Sequence, residues 1–301
     1  MRGAAKTPVA QPPAADTAAP AAAPIEFSWD IHHACNYRCP YCFSHGHWEE
    51  LARMNRYFPV AKWLEAWHAI RLRHGRARIK IACGEPFTYP AFFDLAAGLS
   101  QEHSLEIVTN LSCRKEELST FLAGVSPGAV TLYASFHPRF AEFEPFIEKA
   151  LLAKAQGVLA GVNFVAYPPD LEQAQRLKAS FNAASLTFGI LPFRGMYHGA
   201  VYPDSYTEAE KQAIHETARG ASPKQVENLR WMVEPERTRG RLCRAGQAFA
   251  CVESDGTVFR CGESKHKPIG CIFDQNLALS EEPRPCEKES CPCEFRWLVR
   301  E

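Results

Sequence analysis

Residues 25–42 read IEFSWDIHHACNYRCPYC, a short apolar and aromatic run that passes directly into Cys35, Cys39 and Cys42, spaced as CxxxCxxC. The run IEFSWDI has the make-up of a β-strand. Three thiolates on the loop that follows can ligate three irons of a cubane and leave the fourth iron open to bind another molecule. The competing reading is a closed zinc tetrahedron in which His45 or His47 supplies the fourth ligand. Spacing alone leaves both open.

Working outward, strand-like runs recur at RIKIAC (78–83), LEIVTN (105–110), AVTLYASF (129–136), LAGVNFVAY (159–167) and LTFGILPF (186–193). They are β-branched and aromatic without clean alternation, which predicts strands buried on both faces. Helical patterns lie between them: Val60, Trp63, Leu64, Trp67 and Ile70 repeat at helical spacing, and EFEPFIEKALLAKAQ (142–156) stops at Gly157. Repeated βα units with right-handed crossovers give a parallel sheet. Six of them predict an α/β fold of the partial (β/α)6, TIM-like barrel type, with its site at the strands' C-terminal ends. A doubly wound open sheet is the alternative.

The expected organisation is an Ala/Pro-rich disordered tail over 1–24, the barrel over 25–200, a helical linker over 201–239 and a Cys-rich domain over 240–301. Lys plus Arg and Asp plus Glu both number 34, so net charge gives no reason to expect nucleic acid or an anionic membrane as partner. The local basic run Arg71, Arg73, Arg76, Arg78 and Lys80 reads as a solvated helix end rather than an anion site. With neither a membrane-length apolar stretch nor the apolar core of a signal peptide, a cytoplasmic protein is expected. Twelve cysteines in such a chain suit metal or cluster ligation better than disulfides.

With these motifs in order, residues 26–195 resemble the radical S-adenosylmethionine (SAM) superfamily, in which CxxxCxφC (φ aromatic, here Tyr41) follows the first strand of a partial barrel. The resemblance implies that Cys35, Cys39 and Cys42 hold a [4Fe-4S] cluster that binds SAM. Cys83-Gly84-Glu85-Pro86 looks like the family's Gly-Gly-Glu-Pro turn, with Glu85 on the SAM amino group. Thr109 and Asn110 match the family's Thr-Asn, Ser135 a ribose contact, Asn163 and Val165 the SAM-lining fifth strand, and Gly189 and Ile190 the segment that packs on adenine. Arg194 is a further polar strand-end residue expected at the cofactor. Cys83 stands where glycine is usual. A cysteine fits only without positive φ, so a different local turn is expected.

In the tail, CRAGQAFACVESDGTVFRC (243–261) reads as a hairpin turning at Asp255-Gly256 that brings Cys243 and Cys261 together. It resembles the first half of the SPASM module and its short twitch version, which implies a second, auxiliary [4Fe-4S] cluster. Four of Cys243, Cys261, Cys286, Cys291 and Cys293 would be its ligands, with zinc as the simpler alternative and Cys251 as a substitute ligand. Cys113, Cys251 and Cys271 otherwise read as incidental thiols.

The implied function is reductive cleavage of SAM to a 5′-deoxyadenosyl radical that abstracts hydrogen from a small-molecule substrate such as a sugar or alcohol. An auxiliary cluster would assist its oxidation, and a flavodoxin- or ferredoxin-type donor would supply the electron. A peptide-modifying enzyme is the alternative, less favoured because residues 1–24 cannot form a recognition domain. A non-catalytic zinc or electron-carrier protein is the rival of a different class. No residue of the chain is singled out as a catalytic acid or base.

Overall fold

The computed structural model describes residues 24–274, 277–291, 294 and 296–299. Strands β1 (Glu26–Asp30), β2 (Arg78–Ala82), β3 (Ser104–Thr109), β4 (Val130–Ser135), β5 (Leu159–Ala166) and β6 (Phe188–Pro192) lie side by side in chain order, each parallel to the next. Helices α1 (Trp48–Met54), α2 (Val60–His74), α3 (Phe92–Glu102), α4 (Lys115–Gly124), α5 (Phe143–Ala155) and α6 (Ala174–Ala183) fill the connections. A doubly wound sheet reverses its strand order at a switch point. Consecutive order without a reversal is the winding of a barrel, so the partial (β/α)6 expectation stands and the alternative falls.

The strands are not buried on both faces. Burial alternates along β1, β3, β4 and β6. Phe27 and Trp29 of β1 are fully buried against Trp63 and Trp67 of α2, with ring centroids 4.5 Å apart for Trp29–Trp63 and 5.5 Å for Trp29–Trp67. The opposite face carries Glu26, Ser28 and Asp30, and from β2 and β3 Arg78, Lys80 and Glu106. One face meets the helices and the other lines a polar lumen. Pairing makes that lumen tolerable: Arg78 reaches Glu26 at 2.7 Å and Glu106 at 3.6 Å, and Lys80 pairs with Glu294. Arg76 donates to the carbonyl of His103 and Arg73 to that of Leu277. Arg71, Arg73, Arg76 and Arg78 are exposed, and the last three also reach internal partners.

Beyond β6 come a small hairpin of β7 (Gly195–Tyr197) and β8 (Ala200–Tyr202), then α7 (Glu208–Thr217) and α8 (Pro223–Val233), which pack on β6. Strands β9 (Leu242–Cys243), β10 (Phe249–Val252), β11 (Thr257–Phe259), β12 (Pro268–Cys271) and β13 (Arg284–Pro285) follow. Here strand pairing crosses the expected boundary at 240. β10 runs parallel to β1, from Glu26 opposite Phe249 to Trp29 opposite Val252, and β11 and β12 extend it antiparallel. The result is one nine-stranded sheet, β12-β11-β10-β1-β2-β3-β4-β5-β6. No helix among the described residues is long and apolar enough to cross a membrane.

Candidate functional site

Parallel pairing puts the ends of β10, β1, β2 and β3 on one edge of the sheet, where the loop after β1 carries the first three cysteines. Tight turns shape that loop, with the N–H of Cys42 donating to the carbonyl of Cys39 and that of His45 to Cys42. The sulfur of Cys35 accepts from Tyr37 N–H at 3.3 Å and that of Cys42 from Ser44 N–H at 3.4 Å. Burial pushes the Cys39 thiol up to about 12, and the neighbouring Cys42 and Cys35 add to it. His45 lies edge-on to Trp48, and His47 faces Glu50 at 3.3 Å. Among the described residues no three His, Cys, Asp or Glu side chains are grouped to hold a single metal ion.

The turn after β2 is docked onto this loop. Gly84 has φ +60°, and a Cβ on it would lie 2.2 Å from the carbonyl oxygen of Ala34 and 2.7 Å from that of His32. Only glycine fits so close an approach. Glu85 N–H donates to the Ala34 carbonyl at 2.9 Å, and His32 Nε2 lies 2.9 Å from the Glu85 carbonyl. Pro86 opens a short 3₁₀ turn. One expectation changes. Cys83 keeps a glycine-like φ of +68° rather than altering the turn, and its Sγ lies 3.0 Å from His33 Nδ1. The Glu85 carboxylate is buried and accepts from Phe87 N–H, Thr109 Oγ1 and Asn110 N–H at 3.0, 2.7 and 2.6 Å. Burial raises its pKa to about 7 against the pull of those donors. Glu85 therefore ties β2 to β3.

Asn110 continues the frame, donating to Asn36 Oδ1 at 3.0 Å. Tyr41 stacks on His137, its hydroxyl 3.1 Å from Nδ1, and burial lowers the His137 pKa to about 4. Ser135 and Asn163 are register partners on the lumen face, and Asn163 Oδ1 lies 3.0 Å from where a Cβ on Gly189 would be. Val165 shares that face by alternation. Ile190 does not: it alternates with Gly189 and is buried in register with Phe164, on the helix side. Arg194 is engaged by Glu263 at 2.6 Å, on the loop after β11.

In the C-terminal segment, burial raises the thiol of Cys243, which also feels Cys286 and Cys291. Cys261 is pushed up to about 11 by burial, with Cys291 and Cys243 adding. Cys243 and Cys261 thus each feel Cys291, and Cys293 lies outside the described residues. The sequence reading passed over His33, Asp30, Glu253 and Lys265. Lys265 Nζ lies 2.6 Å from both Asp30 Oδ2 and Glu253 Oε1. A carboxylate ending an apolar strand, as in IEFSWDI, was the available signal.

No protein-family model matches the chain, and no curated protein matches it. Solved structures do. SuiB of Streptococcus suis bound to S-adenosylmethionine superposes with a TM-score of 0.59 at 15% identity, covering 84% of this chain and 62% of SuiB. SuiB bound to the precursor peptide SuiA gives 0.58 at 16%, over 84% of this chain and 64% of that one. Native anSMEcpe with bound AdoMet gives 0.58 at 15%, over 83% and 79%. The chain thus spans less than two thirds of SuiB's length. The fold is that of these radical SAM enzymes.

Proposed function

We propose that the chain is a radical SAM enzyme, with Cys35, Cys39 and Cys42 as ligands of a [4Fe-4S] cluster and the Cys83–Pro86 turn beside it as the seat of SAM. The observation that carries this is the docking of Gly84 onto the backbone of Ala34, one residue before Cys35. The donor set fits: three thiols on one loop, two of them accepting from backbone N–H groups. When bound, cluster and SAM supply reductive cleavage and hydrogen abstraction. The chain's own residues orient them. Glu85 fixes the turn on β3, Asn110 fixes Asn36 in the loop, and Tyr41, Ser135, Asn163, Val165 and the Gly189 backbone border the lumen.

Cys243, Cys261, Cys286 and Cys291 are the favoured ligands of an auxiliary cluster, with Cys293 as the remaining candidate. A flavodoxin- or ferredoxin-type protein is the proposed electron donor. A small polar substrate suits the lumen, whose mouth alternates donors and acceptors at Arg194, Glu263, Lys265 and Asp30. A peptide substrate is the second reading, favoured because SuiB and anSMEcpe structures hold peptides. The test is anaerobic reconstitution followed by iron, sulfide and 5′-deoxyadenosine measurement. Replacing Cys35, Cys39 and Cys42 together by Ala is expected to abolish 5′-deoxyadenosine formation and remove about half the iron, one cubane of two. Undiminished formation would overturn the proposal.

A further inference from the structure

Cys83 is in a conformation that L side chains avoid, at φ +68°, where glycine would sit without cost. It is also nearly sealed, at 7% exposure, so something inside the protein must offset both penalties. Its Sγ meets His33 Nδ1 at 3.0 Å, and His33 is itself 8% exposed. On the far side of the ring, His33 Nε2 is buried without a hydrogen-bond partner and lies 3.9 Å from Glu253 Oε2. Glu253 holds Lys265, which also holds Asp30 at the end of β1 and stands four residues after Cys261. Three segments therefore meet at this ring: the turn of Gly84 and Glu85, the loop of Cys35, and the β10–β11 hairpin.

We propose that Cys83 and His33 are a positioning pair, a side-chain latch that sets the first cysteine loop against the Gly84-Glu85 turn and links both to the C-terminal hairpin through Glu253 and Lys265. The contacts of Gly84 and Glu85 with His32 and Ala34 bring loop and turn together. The latch adds a side-chain contact at His33, between those two residues. His33 precedes Cys35 by two residues, so fixing its ring fixes the direction in which the chain enters the cysteine loop. Glycine at 83 would relax the backbone and lose the latch.

The pair rests on the proposed SAM site for its purpose but not for its existence, and the experiment separates the two. Cys83→Gly, Cys83→Ser and Lys265→Met are prepared without clusters, and iodoacetamide labelling of Cys35, Cys39 and Cys42 is timed against that of Cys113. The expected result for Cys83→Gly is labelling faster by about tenfold, what one lost buried hydrogen bond is worth, with no fall in the unfolding midpoint. Serine, which can still donate to Nδ1, is expected to restore part of the protection. Lys265→Met and Cys83→Gly together should change labelling by less than the product of the single effects, because they break one chain of contacts. In reconstituted protein the same glycine variant should weaken SAM binding by about the same factor. Wild-type labelling and wild-type SAM affinity in Cys83→Gly would overturn the latch. Faster labelling in a protein whose wild type binds no SAM would keep the latch and overturn the SAM reading. Should the glycine variant fail to fold, the serine variant and Lys265→Met carry the same comparison, and wild-type labelling in both overturns it.

Discussion

Replacing Gly84 by Ala tests the contact on which the candidate site is built. At φ +60° an alanine pays the left-handed penalty of about 1–2 kcal/mol. Its Cβ would then stand 2.2 Å from the Ala34 carbonyl oxygen, 2.7 Å from that of His32 and 3.0 Å from the Ala34 carbonyl carbon. All three are backbone atoms of the cysteine loop, so no side chain can swing aside, and overpacking of this kind costs about 1–3 kcal/mol. Moving the loop away breaks the Glu85 N–H to Ala34 hydrogen bond, about 1 kcal/mol more. The sum, about 3–6 kcal/mol, is a large part of a typical domain's stability. Gly157 provides the control, since its φ of +69° imposes the same backbone penalty but a Cβ there meets nothing within 4 Å. Urea unfolding followed by tryptophan fluorescence should show Gly84→Ala less stable than Gly157→Ala by about 2 kcal/mol or more. Equal destabilisation of the two would refute the docking of turn on loop.

Three further outcomes are expected. Glu85 has a folded pKa raised by burial from 4.5 to about 7, so its contribution is fully present below 4.5 and is lost as pH rises through 7. Wild type should therefore lose up to about 3 kcal/mol relative to Glu85→Gln between pH 4.5 and 7.5, and parallel stability curves would refute the assignment. Trp63→Ala removes a fully buried ring that touches Trp29 and donates to the Tyr89 hydroxyl at 3.0 Å, and should cost about 3–5 kcal/mol by urea denaturation, a loss under 1 kcal/mol counting against the packing described. Replacing Cys243 and Cys261 together by Ala should halve the iron of reconstituted protein and expose the C-terminal segment to protease while SAM cleavage continues, and a full second cluster surviving would refute that ligand set.

The strands of the barrel could be read from sequence because each is a short β-branched run punctuated by its own helix, and their observed bounds differ from the expected ones by two residues or fewer. What could not be read is long-range. Nothing in FACV announces that it will lie parallel to β1, 223 residues away in register, because pairing partners are not encoded in local pattern. The surroundings of Glu85 and Ile190 were not legible for a related reason: a motif gives a residue's place along the chain, whereas its contacts depend on which face it presents. Alternation would have decided Ile190, since Phe188 and Ile190 share the buried face and Gly189 lies between them. It would also have exposed the lumen, for the polar residues of β1 and β2 fall at every second position.

That polar face also explains how the C-terminal segment comes to lie on the barrel. An open sheet with charged residues on its concave face must pair them, and only some partners come from its own strands, as in Arg78 with Glu26 and Glu106. The rest are supplied by the C-terminal segment: Glu294 to Lys80, Lys265 to Asp30, and Glu263 to Arg194. Strand pairing of β10 with β1 sets the register, and these ion pairs then fix the loop after β11 across the strand ends, from β1 to the residue following β6. The two groups of cysteines are held relative to one another by the same contacts that complete the lumen's charge pairing. Loosening any one of them should therefore disturb both groups together.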